Sequence, residues 1–277
     1  MTADYFASKG VDSPRLAAER LLAHAMGCER IDLYTRFQET LPAETVGRYR
    51  ELVRRRATRE PIQHVLGATE FWSLKIKCDR RALVPRPETE GVVQAVLDLL
   101  REIADPAAAD IGTGTGCIAV ALAKELKAAN VVASDISSES LALAGENLAA
   151  HGLGDRVRLI EGDLVAPFRE VGLIECFDAV VSNPPYVTDE EMTRLMPEVR
   201  DFDPPLALRG GLDGLDVIRR LAAETPVLLK PGGRLIVEIG QGQLESSGAI
   251  LRESGWTIER TLPDAAGIPR VVAACRV

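Results

Sequence analysis

Two hydrophobic patterns divide this chain of 277 residues. Over the first part the apolar residues recur at helical spacing. Leu16, Ala17, Leu21, Leu22 and Ala25 form one stripe, opened by Ser13 as a candidate cap with Pro14 in the first turn and stopped at Gly27. A second helical stretch runs from about Glu44 through Arg59 with Val46, Tyr49, Leu52 and Val53 on one side, and Pro61 ends it. From Glu70 to Lys77 the apolar residues alternate loosely (Phe71, Trp72, Leu74, Ile76), which predicts a short hairpin or linker strand. Pro85 and Pro87 stiffen the connection to the rest of the chain. These signals predict a small helical domain over 1–74, a hairpin and linker over 75–87, and a second domain over 88–277.

The second pattern alternates short apolar runs with amphipathic stretches. Strands are expected at Ala107–Ile111, Asn130–Asp135, Val157–Glu161, Phe177–Ser182, Arg234–Ile239, Thr257–Leu262 and Arg270–Arg276. Helices are expected at Pro87–Ile103, Cys117–Lys127, Ser138–Ala150, Leu215–Leu229 and Gln241–Glu253. Such alternation predicts an α/β fold, a doubly wound and mostly parallel sheet covered on both faces. Ligands of these sheets bind beyond the carboxyl ends of the strands, where the strand order reverses.

Two motifs sit at such strand ends. Asp110-Ile111-Gly112-Thr113-Gly114-Thr115-Gly116 joins the first strand of the series to its helix, and its glycines permit positive φ and close backbone approach to a ligand. The spacing is G-x-G-x-G, whereas the dinucleotide fingerprint is G-x-G-x-x-G, whose helix start suits a pyrophosphate. S-adenosylmethionine has no phosphate, so the turn need only admit its methionyl part, with Asp110 either favouring the ammonium group or holding the loop. Asp135 closes the second strand, where an acidic side chain can accept both ribose hydroxyls. Asp163 and Leu164 end the third strand, where the carboxylate could accept from an adenine amino group and the leucine cover its face; a simple Gly-Asp turn explains Asp163 as well.

The other motif is Asn183-Pro184-Pro185-Tyr186, placed directly after the run Phe177–Ser182. An amide nitrogen is a poor nucleophile because its lone pair is delocalised. Methylating it is mainly a task of holding it in line with the methyl donor at about 3–3.5 Å. The Asn183 side-chain oxygen and the Pro184 carbonyl can each accept one N–H of a planar NH2, which also favours positive charge developing on nitrogen. Pro185 fixes the turn, and Tyr186 can lie against the planar group. The two motifs together predict methyl transfer from S-adenosylmethionine to a planar nitrogen.

Charge narrows the substrate. The chain carries a net −8, but residues 1–81 hold 15 basic and 11 acidic residues, a net of +4, leaving −12 for the remainder. That remainder repels phosphate backbones, and direct nucleic-acid binding is not expected. The basic excess of 1–81 is either a contact surface or a solvated helix face. Five cysteines without a C-x-x-C pair (Cys28, Cys78, Cys117, Cys176, Cys275) read as buried thiols of a reducing compartment. Only His24, His64 and His151 are available, so no metal site is expected. No apolar run reaches the roughly 20 residues of a membrane span, and no signal-like run follows Met1. A soluble intracellular protein with no membrane partner is expected.

With these residues in hand the chain resembles the class I S-adenosylmethionine-dependent methyltransferases. More narrowly it resembles the bacterial peptide chain release factor glutamine methyltransferases, the HemK/PrmC family. Beyond the two motifs, the likeness rests on Arg59-Glu-Pro61-Ile-Gln63-His-Val-Leu-Gly67, Val84-Pro-Arg86-Pro-Glu88-Thr-Glu90, Asp203-Pro204-Pro-Leu-Ala207-Leu208 and Gly210-Gly211-Leu-Asp-Gly214-Leu215. The resemblance implies a Rossmann-like catalytic domain and N5-methylation of the glutamine in the Gly-Gly-Gln motif of class 1 release factors, in the cytoplasm. It also implies S-adenosylmethionine as methyl donor, S-adenosylhomocysteine as product, and an N-terminal domain that helps dock the release factor. By match, cofactor contacts fall on Gly112 to Gly116, Asp135, Leu164 and Asn183, and substrate glutamine on Asn183 to Tyr186. The chain departs from the family's common pattern at His64, where a tyrosine is frequent, at Asp203, where a glutamate is frequent, and at Leu164, where an aromatic group is frequent. Arg86 and Glu88 could order the edge of the site, and capping or linker packing explains them equally well.

Two other readings compete. An adenine-N6 nucleic-acid methyltransferase would use the same tetrapeptide, with Tyr186 stacked on a flipped base; the −12 portion lacks the basic groove it needs. A non-catalytic cofactor-binding module would not need the substrate acceptors of Asn183 to Tyr186.

Overall fold

The computed structural model describes residues 1–276 and divides them into two compact units, Met1–Ala68 with Met196–Phe202, and Thr69–Leu195 with Asp203–Val277. The first unit is helical. Helices Thr2–Ser8, Pro14–Met26, Ala43–Ala57 and Ile62–Leu66 enclose Phe6, Val11, Ala17, Leu21 and Val65. Tyr49, Leu52 and Val53 pack against that core, as their spacing predicts. Two local expectations fail here. Ser13 precedes Pro14, which bars it from the α region, and it adopts φ 46°; its side chain makes no capping bond. Of the expected stripe Ala17, Leu21 and Ala25 are buried, joined by Ala23, whereas Leu16 is exposed and Leu22 only partly buried.

The second unit is built on a seven-stranded sheet. Its strands are β1 (Ala107–Ile111), β2 (Asn130–Asp135), β3 (Val157–Glu161), β4 (Phe177–Ser182), β5 (Leu229–Glu238), β6 (Thr257–Pro263) and β7 (Pro269–Cys275). Their spatial order is β3-β2-β1-β4-β5-β7-β6. β1 to β5 pair in parallel, whereas β7 runs antiparallel to both β5 and β6. Successive strand residues enter opposite cores. Ala108, Val131, Val181 and Val271 join one cluster with helices Glu90–Leu100 and Cys117–Glu125. Ala109, Val132, Val180 and Val272 join the other with helices Asp216–Glu224 and Leu244–Glu253. A period of two with both faces apolar is what a doubly covered sheet requires, and the predicted mostly parallel, doubly wound α/β fold is the one observed. Among the described residues no helix is long and apolar enough to cross a membrane.

The departures are local and arise from proline, glycine and short-range pairing. The stretch expected as one helix over Pro87–Ile103 is a 3-10 turn at Pro87–Thr89 followed by an α-helix at Glu90–Leu100. The helix expected over Leu215–Leu229 spans only Asp216–Glu224, because Pro226 cannot continue its hydrogen bonds. β5 starts at Leu229 rather than Arg234: Phe177 pairs with Leu229 and Ala179 with Arg234, so the Pro231-Gly232-Gly233 run bulges out within the strand. A two-stranded parallel pair, Val187–Thr188 with Arg209–Gly211, is not signalled by any sequence pattern. Of the five cysteines only Cys78 and Cys117 are buried; Cys28, Cys176 and Cys275 are partly exposed.

Candidate active site

Strand pairing explains how motifs far apart in sequence meet. The strand order reverses between β1 and β4, where Ile111 pairs with Ser182, so the glycine loop and the Asn183 turn leave the sheet side by side. Ile111 also pairs with Ser134 on β2, which brings Asp135 to the same edge. On the other side Ser182 pairs with Val237, which sets Glu238 beside Asn183. A cavity of about 410 Å³ opens over this edge, lined among others by Gly112–Thr115, Asp135, Ile136, Leu164 and Asn183–Pro185.

The glycine loop is held by backbone bonds and by the Asp135 carboxylate, which takes the Gly114 amide. Gly112 and Thr113 both donate to the Ser134 carbonyl at 2.9 Å, and Gly116 donates to Thr113 at 2.8 Å. Gly116 has φ 78°, and a Cβ there would lie 3.0 Å from that of Ala144, so the helix starting at Cys117 packs closely against helix Ser138–Ala150. Gly112 likewise has positive φ, with no atom within 4 Å of where a Cβ would be. Asp110, fully buried, is absent from the cavity wall; its Oδ2 accepts from Thr113 Oγ1 at 2.6 Å. Of the two roles sequence allowed Asp110, this geometry is that of holding the loop. Burial pushes its carboxyl up to about 7.

Asp135 does face the cavity. Its Oδ2 accepts from the Gly114 amide and its Oδ1 from the Ser137 amide, both at 2.9 Å. Burial raises its pKa, and those two amides partly offset the rise. Each oxygen keeps a lone pair for a further donor. Asp163 is engaged otherwise than expected: both its oxygens take the Arg220 guanidinium, at 3.1 and 2.9 Å, on the rim of the cavity. Leu164 lines the wall with φ 46°. Ile136 lines the same cavity, so apolar side chains stand there beside the Asp135 carboxylate.

Asn183, Pro184 and Pro185 line the cavity, whereas Tyr186 does not. The Tyr186 hydroxyl donates to Glu238 Oε1 at 3.3 Å, and its carbonyl accepts from Gln243 Nε2 at 3.1 Å. Tyr186 therefore braces the turn through its hydroxyl and its carbonyl. Burial and the neighbouring Glu238 charge raise the Tyr186 pKa, so the phenol stays protonated and donates. Asn183 Nδ2 donates to Thr89 Oγ1 at 3.0 Å. Among the described residues nothing donates to Asn183 Oδ1 or to the Pro184 carbonyl. Two acceptors are thus left open on one wall.

Sequence reading missed Thr89 and Glu238. Thr89 stands inside Val84–Glu90, a segment conspicuous for its prolines and charges instead. Glu238 interrupts the run Leu235-Ile236-Val237-Glu238-Ile239, and a carboxyl buried in a central strand is costly enough to have been a signal. Arg86, also on the wall, donates through Nη2 to the buried Asp203 at 2.7 Å, while burial lifts that carboxyl to about 6 against the arginine's pull.

Residues 1–67 match the PrmC N-terminal domain, and residues 92–199 match the methyltransferase small domain. A release factor glutamine methyltransferase of Geobacter sulfurreducens is 43% identical over 98% of this chain and 93% of its own length. The chain belongs to the release factor glutamine methyltransferase family. Another member, from Deinococcus radiodurans, is 42% identical over 96% of this chain and 93% of its own. Among solved structures, a methyltransferase from Pyrococcus furiosus shares the fold at a TM-score of 0.52 and 18% identity, covering 73% of this chain and 89% of that one. Membership of the glutamine methyltransferase family gives the two open acceptors a natural partner, a carboxamide NH2.

Proposed function

We propose that the protein transfers a methyl group from S-adenosylmethionine to the side-chain nitrogen of the glutamine in the Gly-Gly-Gln motif of class 1 peptide chain release factors, leaving S-adenosylhomocysteine. One observation carries the reading. Asn183 Oδ1 and the Pro184 carbonyl stand without donors on the wall of the cavity that Gly112–Thr115 and Asp135 also line.

When bound there, the cofactor supplies an electrophilic methyl group on its sulfonium. Asp135 would accept from the ribose hydroxyls, Gly112 to Gly116 would admit the methionyl part, and Ile136 and Leu164 would flank the adenine. Asn183 Oδ1 and the Pro184 carbonyl would each accept one N–H of the glutamine side chain, holding the nitrogen lone pair toward the donor. As the amide loses its resonance, positive charge grows on nitrogen, and both acceptors stabilise it. Pro184 and Pro185 limit the turn's freedom, so this orientation is set before substrate arrives. No strong base is needed, because the proton leaves after transfer.

Residues 1–74 would help to dock the release factor, joined through 75–87 to a catalytic domain over 88–277, and the basic excess of the N-terminal part suits that role. The work would be done in the cytoplasm, where release factors act. The −12 balance after residue 81 opposes a nucleic-acid substrate.

The test is to incubate the purified protein with methyl-labelled S-adenosylmethionine and a release factor, the same factor with the Gly-Gly-Gln glutamine replaced, or DNA. Label on the unaltered factor alone is the expected result. Label on DNA, or on the glutamine-less factor, would overturn the reading.

A further inference from the structure

A guanidinium carries five N–H donors, and one arginine on the cavity wall has most of its donors unused. Arg86 gives Nη2 to Asp203 Oδ2 at 2.7 Å, and its side chain makes no other hydrogen bond among the described residues. That side chain is 34% exposed and that of Asp203 only 1%, so a buried carboxylate anchors one corner of the fork and leaves the rest at the cavity surface. The backbone is equally fixed. Pro85 and Pro87 flank Arg86, which takes the extended conformation favoured before proline, at φ −102° and ψ 144°. Its carbonyl accepts from the Thr89 amide at 3.1 Å.

The other arginines on this wall are committed. Arg81 is shared between Asp79 and Glu146, and Arg220 between Asp163 and Glu224. Arg209 is exposed and donates to Asp189, and Arg80 has a partner too. Position along the sheet edge separates them further. The strands stand in the order β3-β2-β1-β4; the Asp163–Arg220 pair lies past the end of β3, Asp135 ends β2, and Asn183 follows β4. Thr89, three positions after Arg86, accepts from Asn183 Nδ2 at 3.0 Å, so Arg86 belongs to the β4 end.

We infer that Arg86 binds the carboxylate of the cofactor's amino-acid tail. This role rests on the S-adenosylmethionine reading of the cavity, which puts the ribose at Asp135 and the methyl group at Asn183. The sulfur that carries the methyl group also carries the tail, so the tail falls at the β4 end as well. Its carboxylate is the one anionic group of that molecule, and a cavity that already holds the Asp135 carboxylate needs a cation to receive it. The open N–H groups of Arg86 can meet both carboxylate oxygens at once, which a lysine ammonium cannot do with the same fixed geometry. Asp203 then positions the fork from behind.

Three ligands separate this role from a structural one. Arg86→Met keeps much of the aliphatic stem and removes the fork. By calorimetry its Kd for S-adenosylhomocysteine should rise about 10- to 100-fold, the scale of a hydrogen bond to a charged group. 5′-Methylthioadenosine lacks the amino-acid part, and decarboxylated S-adenosylmethionine lacks only the carboxylate. For both, Kd should rise by no more than about twofold, which also shows the variant to be folded. Arg86→Lys should recover part of the loss, because it keeps the charge without the fork.

A rise shared by all three ligands would make Arg86 a support of the fold. No rise for S-adenosylhomocysteine would place the carboxylate elsewhere, and a raised KM for the release factor alone would assign Arg86 to the protein substrate. Each of these results overturns the assignment. A loss confined to S-adenosylhomocysteine, in a protein that labels no release factor, would keep the assignment and overturn the substrate reading instead.

Discussion

Gly214 lies against the carbonyl of Tyr186 so closely that a Cβ on it would sit 2.3 Å from that oxygen. The same carbonyl accepts from Gln243 Nε2, which reaches the Gly214 carbonyl as well, at 3.4 Å. The loop Gly210–Gly214 and the turn Asn183–Tyr186 are thereby clamped together, and only a residue without a side chain can complete the clamp. Gly214→Ala would have to move the turn, and φ of 75° adds backbone strain. It should lower kcat at least about tenfold by displacing the acceptors. Gly232→Ala is the control: its φ is 76°, but nothing lies within 4 Å of a Cβ there, so it bears the backbone strain alone. Equal kcat in the two variants would refute the clamp.

Asn183 separates chemistry from cofactor binding. Its amide is tied to Thr89 and its oxygen faces no protein donor, so truncation removes an acceptor without touching the loop that holds the cofactor. Asn183→Ala should cut methyl transfer by about 100-fold or more, the scale seen when one charge-stabilising group is lost. Calorimetric affinity for S-adenosylhomocysteine should change by no more than about threefold. Comparable loss of both would mean that Asn183 serves the cofactor and not the substrate.

The parts that were legible in the sequence share a cause. Short apolar runs such as Ala107–Ile111 and Phe177–Ser182 announce strands because both faces of the sheet are buried, and the glycines and prolines after them announce the turns. What escaped the sequence depends on partners distant along the chain. Nothing local to Thr89 indicates that it meets Asn183, ninety-four positions later. Tyr186 beside two prolines suggests a stacking face, and only the neighbouring strand, which brings Glu238 next to it, shows where its hydroxyl is held. Nothing local to Asp163 indicates that helix Asp216–Glu224 brings Arg220 to it. Local periodicity encodes elements; the long-range register decides which side chains remain free for chemistry.

Asp110 gives a pH test with a defined sign. Burial raises its carboxyl from 3.8 to about 7 in the folded protein. Below the lower value both folded and unfolded chains are protonated there, and folding carries no penalty. Between the two values the unfolded chain ionises while the folded one holds its proton, so stability falls as pH rises, and above about 7 the loss is complete. Asp110→Asn removes this dependence. The difference in stability, variant minus unaltered protein, should therefore grow in the variant's favour from pH 5 to 7 by on the order of a few kcal/mol and flatten above that. Denaturant titrations at pH 5, 6, 7 and 8 would show it, and a difference independent of pH would exclude the assignment.

The first unit depends on an ion cluster that the sequence did not announce. Glu198, from the segment Met196–Phe202, accepts from Arg56 Nη2 at 3.0 Å and from Arg59 Nε and Nη2 at 2.6 Å each. The three side chains are only 12%, 6% and 20% exposed. Burial pushes the Glu198 carboxyl up, but the hydrogen bonds from Arg59 and Arg56 more than offset this, and its pKa ends below the ordinary value. A lowered folded pKa contributes stability above the unfolded value and loses it as pH falls through the folded one. Glu198→Ala would leave two largely buried guanidinium groups facing each other without a counter-charge, which costs about 3 kcal/mol or more. Replacing Arg59 as well, in Glu198→Ala/Arg59→Met, should recover part of that loss, because the repulsion is relieved and an apolar side chain fills the space. Affinity for S-adenosylhomocysteine should be unchanged in both variants, since the cofactor residues belong to the other unit. Equal destabilisation in the single and double variants would mean that Glu198 acts by packing alone and that its charge contributes nothing.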